Sequence, residues 1–307
     1  MRIAVVGAGG VGGYFGGLLA RAGHDVAFLA RGAHLRAIRA RGLRVEGVGE
    51  TFTIAPANAT DDPGEVGPVE LVMLCTKTYD LAAVIEQTRS LVGPSTAFLT
   101  LQNGVESPDL VAATYGPRAV LPGVVYCEVA VREPGVIFQG SPIQRLIFGE
   151  ASGEVTPRTR AIAGAFAATG VDVTLSENVL GALWGKFCFI CGMSGVTTLT
   201  RRTVGPILED AEARLLLRTV VEEARAIALA RGVCFDTDPV EAGIATFARF
   251  PPEAKSSMQR DLERGGRLEI EALSGAVVRL GRALGIPTPA NQTIYAALRL
   301  AQPAVSG

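Results

Sequence analysis

A short buried strand that ends on a run of glycines is the feature that most constrains this chain. Residues 2–6, Arg-Ile-Ala-Val-Val, are apolar and β-branched after the first position, and they give way at once to Gly7-Ala8-Gly9-Gly10-Val11-Gly12. From Gly10 to Ala22 small and apolar residues suit a helix packed closely on a sheet, Gly23 is a natural helix stop, and Asp25–Ala30 reads as a second buried strand. The three pieces form one strand–helix–strand unit of about 30 residues, the length of a dinucleotide-binding unit.

The spacing G-x-G-x-x-G is weak evidence alone in a chain with 37 glycines among 307 residues. Its place between a strand and a helix gives it weight. In that setting Gly7 makes the tight turn, Gly9 lets backbone approach a pyrophosphate and Gly12 brings the helix against the sheet. Gly10 and Val11 open the helix whose N-terminus faces the phosphates. The alternative is a glycine-packed turn with no ligand.

Ile3–Ala20 is also the longest uncharged stretch, 18 positions, which resembles a signal peptide or membrane helix in length. Seven glycines in it, a single preceding basic residue and no clear cleavage site argue against both. A cytoplasmic protein without a membrane partner is the expectation. The 29 basic and 30 acidic side chains nearly cancel, so no global field favours nucleic acid. Five scattered cysteines, mostly in apolar company, point to reduced thiols rather than a disulfide framework.

Further along, strands near 43–55, 70–75, 97–101 and 119–127 alternate with helices near 33–41, 79–92 and 106–115. Alternation of this kind implies a doubly wound parallel sheet covered on both faces. Strand-like segments at 129–138, 144–149 and 171–175, with a helix at 157–169, complete its far edge. Beyond Ser176 the periodicity turns helical throughout, with helices expected at 177–200, 206–232, 238–247, 253–263, 267–284 and 289–301. The expected organisation is therefore a Rossmann-type α/β domain over 1–175 and an all-helical domain over 176–307, whose apolar character leaves room for a homodimer.

A dinucleotide site that prefers NAD places Asp or Glu at the end of the second strand. Here that strand ends Leu29-Ala30-Arg31, and Arg36, Arg39, Arg41 and Arg44 follow before any acid. A guanidinium at Arg31 suits a 2′-phosphate, so NADP(H) is the expected cofactor, with a solvated basic helix face as the reading for most of the later arginines.

The only histidines, His24 and His34, fall near the adenosine half of such a site, so a proton donor must come from elsewhere. Hydride transfer to a ketone develops alkoxide character, which a lysine ammonium can protonate and stabilise. Lys186 is the only charge between Glu177 and Arg201, on an apolar helix where a lysine is costly unless partnered. A lysine snorkelling from the helix edge is the alternative. Lys77, after the strand at 70–75, falls at the carboxyl edge of the sheet, where parallel α/β folds bind ligands. Cys188 and Cys191 form a Cys-x-x-Cys, but no second pair or nearby histidine accompanies it, and packing explains it.

Gly7-Ala-Gly-Gly-Val-Gly12, Cys75-Thr-Lys-Thr78, Leu101-Gln-Asn-Gly-Val105, Trp184-Gly-Lys186, Ser256-Ser-Met258 with Asp261, and Glu269 occur in that order. Jointly these motifs resemble the ketopantoate reductase (2-dehydropantoate 2-reductase) family over nearly the whole chain. The resemblance implies NADPH-dependent reduction of a 2-oxo acid held in an interdomain cleft. It makes Lys186 the general acid and Glu269 a partner of the reacting hydroxyl or carbonyl. Asn103 would sit at nicotinamide and substrate, Ser257 would hold the substrate carboxylate, and Lys77 would line the cofactor cleft.

Typical pantothenate-pathway members carry Asn four and eight residues after the lysine, where this chain has Ile190 and Ser194. Ile190 cannot hydrogen-bond, and Ser194 is left as the polar group at the second position. Reduction of 2-dehydropantoate to pantoate is the first expectation. A paralogous reductase of another 2-oxo acid, an opine-type dehydrogenase, and a non-catalytic NADP sensor stay open beside it.

Overall fold

In the computed structural model, residues 1–302 are described, and they divide into two compact units. The first comprises residues 1–102 and 107–179, the second residues 103–106 and 180 onward.

The first unit is built on strands β1 (Arg2–Val6), β2 (Asp25–Leu29), β3 (Leu43–Gly47), β4 (Phe52–Ile54), β5 (Asn58–Thr60), β6 (Val69–Leu74), β7 (Val92–Thr100), β8 (Val120–Glu133), β9 (Val136–Phe148) and β10 (Asp172–Leu175). Helices α1 (Gly10–Arg21), α2 (Gly32–Arg41), α3 (Leu81–Gln87), α4 (Ser107–Tyr115) and α5 (Pro157–Ala167) connect them. The sheet runs β4-β3-β9-β8-β7-β6-β1-β2-β5, with β10 also paired to β9.

Alternation along the central strands sorts their side chains onto two faces. Ile3 and Val5 of β1 join Phe15 and Leu19 of α1 and Phe166 of α5 in one core, while Ala4 and Val6 join Val84 of α3 and Val111 of α4 in the other. This is the doubly wound arrangement expected from the sequence, with β1 between β2 and β6. Strand order reverses there, the point at which such sheets bind ligands, and the glycine loop follows β1 at that point.

The expectation of an all-parallel sheet is corrected at one side. β8 and β9 are antiparallel partners joined at Pro134-Gly135, and β3 pairs with β4 antiparallel. Gly135 has φ +85, so the segment expected as one strand over 129–138 folds back on itself there. The far edge of the sheet is accordingly β3–β4, with β10 beside the distal half of β9.

The second unit contains α6 (Val179–Thr200), α7 (Val204–Glu209), α8 (Ala211–Ala230), α9 (Pro239–Phe247), α10 (Ser257–Glu263), α11 (Ser274–Leu284) and α12 (Pro289–Leu300). The helix expected over 206–232 is interrupted because Asp210 caps α8, its carboxylate accepting from the Ala213 N–H. The one expected over 267–284 starts late. Residues 269–273 form a turn in which the Glu269 carbonyl accepts from Ala272 and Leu273.

Among the described residues α6 is the one helix long and apolar enough to cross a membrane, and 67% of its most apolar window is buried. It is a core helix of the second unit, lying against Leu217 and Val221 of α8 where Gly192 lacks a side chain.

Candidate active site

In the first unit the loop from β1 to α1 has the form the sequence reading requires. Gly7 sits at φ +95, and a Cβ there would lie 2.8 Å from the Thr76 backbone nitrogen. A Cβ on Gly12 would overlap the Gly7 carbonyl and stand 2.8 Å from the Val5 side chain. Gly10 lies against the Val129 backbone of β8, again with no room for a side chain, and Val11 is half-buried.

Gly9 differs from these three, since a Cβ built on it meets nothing within 4 Å. Gly9 is also the N-cap of α1, and no side chain caps that helix. The N–H groups of its first turn are therefore open to an anion.

Two further observations fit a dinucleotide along this edge. Thr76 Oγ1, just beyond β6, and both amide atoms of Gln102, just beyond β7, are buried without a protein partner. Buried polar atoms of this kind are costly unless a ligand or water completes them. Residues of the first unit thus fit a dinucleotide in both the shape of the glycine loop and the donors left along the carboxyl ends of the strands. Gln102 escaped the sequence reading, although its place in Leu101-Gln-Asn-Gly was visible; only its burial shows the demand for a partner.

Arg31 is the exposed N-cap residue of α2, and its guanidinium donates to Gln87 Oε1 at 2.9 Å. Three of the four later arginines serve the protein itself. Arg39 bonds Ala59 O and faces Asp61 and Glu65, Arg41 bonds Pro134 O, and Arg44 pairs with Glu46. Lys77 is half-buried immediately after the segment that crosses Gly7, and its carbonyl accepts from Asp80 N.

In the second unit, Lys186 Nζ on α6 donates to Asn103 Oδ1 at 3.2 Å. Asn103 is followed by Gly104, at φ +92, where a Cβ would stand 2.9 Å from the Ala272 carbonyl. Glycine therefore permits the 103–106 segment to lie on the turn that carries buried Glu269, three residues before Ala272. Arg279 of α11 ties the other end of the segment, bonding Glu106 at 2.7 Å and Glu271 at 3.1 Å.

Ser257 is exposed at the first position of α10. The helix cap is its neighbour Ser256, whose Oγ accepts from Gln259 N and lies 2.8 Å from Thr197 Oγ1 of α6. Ser194 is buried on α6, eight residues after Lys186. Lys186, Ile190, Met193 and Thr197 fall on one stripe of α6, at spacings of four, three and four. Cys188 and Cys191 are buried on the same helix. Burial pushes both thiols up, Cys188 to about 12, so neither is a reactive thiolate. Trp184 packs edge-to-face on Phe187 within this unit.

A doubly wound sheet with an open glycine loop, together with a lysine held by an asparagine on an apolar helix, defines a Rossmann-fold oxidoreductase. The family model described as ketopantoate reductase PanE/ApbA matches residues 3–153, and that described as ketopantoate reductase PanE/ApbA C terminal matches residues 178–302. This chain belongs to the ketopantoate reductase family. Membership and fold together imply binding of NAD(P)(H).

The 2-dehydropantoate 2-reductase of Mesorhizobium japonicum is 35% identical over 97% of each chain. An uncharacterized oxidoreductase of Bacillus subtilis, YkpB, is 32% identical over 98% of each chain. The crystal structure of a PanE/ApbA family ketopantoate reductase from Ralstonia eutropha superposes with a TM-score of 0.90 at 36% identity, covering 98% of each chain.

Proposed function

We propose that the protein reduces a 2-oxo acid to the 2-hydroxy acid with NADPH, and that 2-dehydropantoate, reduced to pantoate, is its first candidate substrate. The observation that carries the reading is the Lys186–Asn103 hydrogen bond at 3.2 Å. It orients a cationic donor on a helix otherwise without charge, as protonation of a developing alkoxide requires. A bound nicotinamide would supply the hydride to the keto carbon.

Gly7, Gly9, Gly10, Val11 and Gly12 would hold the pyrophosphate, Arg31 the 2′-phosphate, and Lys77 and Asn103 the nicotinamide half. Asn103 accepts a Lys186 N–H and so aims the ammonium, whose proton passes to the substrate oxygen. Glu269 would bond the same reacting group, while Ser257 and Ser194 hold the carboxylate and tail. The first unit is then the cofactor domain, taken as 1–175, and 176–307 supplies most of the substrate side. A cytoplasmic location accompanies this reading, supported by five cysteines none of which forms a disulfide.

One observation favours a second reading within the class. Between Lys186 and Thr197 the stripe of α6 is Ile190 and Met193, with Ser194 as the polar group beside it. A 2-oxo acid with an apolar side chain suits that surface at least as well as a hydroxylated one.

The test is NADPH oxidation by purified protein against a panel of 2-oxo acids that includes 2-dehydropantoate. Turnover with 2-dehydropantoate comparable to the best substrate supports the first reading, and at least tenfold higher kcat/KM for an apolar 2-oxo acid supports the second. Silence across the panel with NADPH still bound would leave a nucleotide sensor.

A further inference from the structure

We propose that His34 is a positioning residue for the dinucleotide, one that aims the Gly9 N–H of the glycine loop by holding the Ala8 carbonyl. The inference rests on the dinucleotide reading above and extends it to a residue outside the G-x-G-x-x-G motif.

His34 lies on α2, with Nε2 2.8 Å from the Ala8 carbonyl oxygen, and the Gly135 N–H donates to its Nδ1 at 3.0 Å. A carbonyl can only accept and a backbone N–H can only donate. The two contacts therefore define one tautomer, with the proton on Nε2 and a lone pair on Nδ1. The ring bridges two loops far apart in sequence, the β1–α1 glycine loop and the β8–β9 turn.

Backbone groups on either side in the glycine loop have other anchors. The Gly7 and Ala8 N–H groups both donate to the Leu29 carbonyl at 3.1 Å, and the Gly9 carbonyl accepts from Gly13 at 2.7 Å. The peptide between Ala8 and Gly9 is held by His34. In a planar trans peptide the C=O and the following N–H point in opposite directions. Drawing the Ala8 carbonyl toward α2 therefore turns the Gly9 N–H away from α2. That N–H belongs to the residue with open space around it and to the uncapped start of α1. Without the imidazole this glycine-flanked peptide is free to rotate, and the anion site loses a fixed donor.

The two halves of the bridge are not equivalent. The β8–β9 turn has further ties to the same region, since Arg41 donates to the Pro134 carbonyl at 3.2 Å and the Arg44 N–H to the Gly135 carbonyl at 2.9 Å. Loss of the Gly135 bond leaves the turn in place, whereas loss of the Ala8 bond releases the peptide.

Two substitutions separate these halves, because glutamine places an amide donor near the position of Nε2 and asparagine an amide acceptor near that of Nδ1. Kd values for NADPH and for NADH, measured by fluorescence titration, are compared with kcat at saturating NADPH. His34→Gln is expected to bind both nucleotides within about threefold of wild type, whereas His34→Asn and His34→Ala bind both about tenfold more weakly. The NADPH-to-NADH preference and kcat should be unchanged throughout.

His34→Asn binding as tightly as wild type, or His34→Gln binding as weakly as His34→Asn, would overturn the proposal. If His34→Ala fails to fold, the Asn and Gln pair still decides. A wild-type protein that binds neither nucleotide fails the dinucleotide reading itself, which is a separate result.

Discussion

Lys186 and Asn103, 83 positions apart, meet at 3.2 Å in a hydrogen bond in which the ammonium donates to the side-chain carbonyl. Lys186→Ala should lower kcat for 2-oxo acid reduction by about 10²–10⁴-fold, the usual worth of a general acid. NADPH affinity should change less than about twofold, since a proton donor contributes chiefly at the transition state. Asn103→Ala removes the acceptor for Lys186 together with the contact proposed to the nicotinamide half, and should cost less in kcat than the lysine. Stopped-flow turnover beside fluorescence titration separates the two quantities, and retained turnover in Lys186→Ala removes it from the acid role.

Arg31→Ala tests cofactor choice. A charge-assisted bond to a 2′-phosphate contributes about 1.5–3 kcal/mol, so the NADPH Kd should rise about 10- to 150-fold while the NADH Kd stays nearly constant. Equal loss for both nucleotides would place Arg31 elsewhere than at the phosphate.

Gly9 and Gly12 should respond oppositely to alanine. Gly12→Ala forces a methyl against the Gly7 carbonyl and Val5, so the protein should lose about 1–3 kcal/mol in urea unfolding. Gly9→Ala enters open space at φ −72, a conformation any residue adopts, and should leave stability unchanged. Weaker NADPH binding by Gly9→Ala at full stability is the expected signature of a ligand in that space.

The start of α12 gives a stability test away from the site. The buried Glu223 carboxylate accepts from the Ala290 and Asn291 N–H groups and from Asn291 Nδ2, at 2.8–2.9 Å. Glu223→Ala leaves these donors unpaired beside a helix N-terminus and should destabilise by about 2–4 kcal/mol. Glu223→Gln, which keeps an acceptor, should cost less. Urea unfolding of the three proteins checks the order.

Acid sensitivity follows from Glu150. Burial pushes its carboxyl up, but hydrogen bonds from Arg158 and Thr156 and the Arg158 charge together hold it below the ordinary carboxylate range. A carboxyl whose folded value lies below its unfolded value of about 4.3 stabilises the fold fully above that pH, and the contribution is lost as pH falls toward the folded value. Glu150→Gln should therefore flatten the acid side of a Tm-against-pH curve while lowering Tm at neutral pH.

Much of the first unit was legible in the sequence because local chemistry decides it. The strand that ends at Gly7, the helix from Gly10 and the strand from Asp25 follow from residues no more than a few positions apart. The reversal at Pro134-Gly135 was equally local, yet the apolar residues on both sides carry one continuous strand pattern across it. Around Glu269, Leu268, Ile270 and Leu273 are buried with a spacing that helix and turn share, so periodicity could not reveal that α11 starts at Ser274. The site was legible as residue types in order. The pairing of Asn103 with Lys186, the unpartnered amide of Gln102 and the two-sided grip of His34 were not, because each depends on which distant loops the sheet and helices bring together.

The placement of Asn103–Glu106 with the helical unit limits how this enzyme can be divided. The two family models split the chain once, between residues 153 and 178, whereas its contacts change allegiance at 102, at 106 and again at 179. A chimaera that exchanges only the C-terminal part with a relative would import a new lysine and glutamate but retain the host's asparagine. It would also set Glu106 against a foreign partner in place of Arg279. An exchange of the helical unit of this chain is therefore a cassette of two pieces, one of them four residues long, and a swap that leaves the short piece behind must rebuild its contacts.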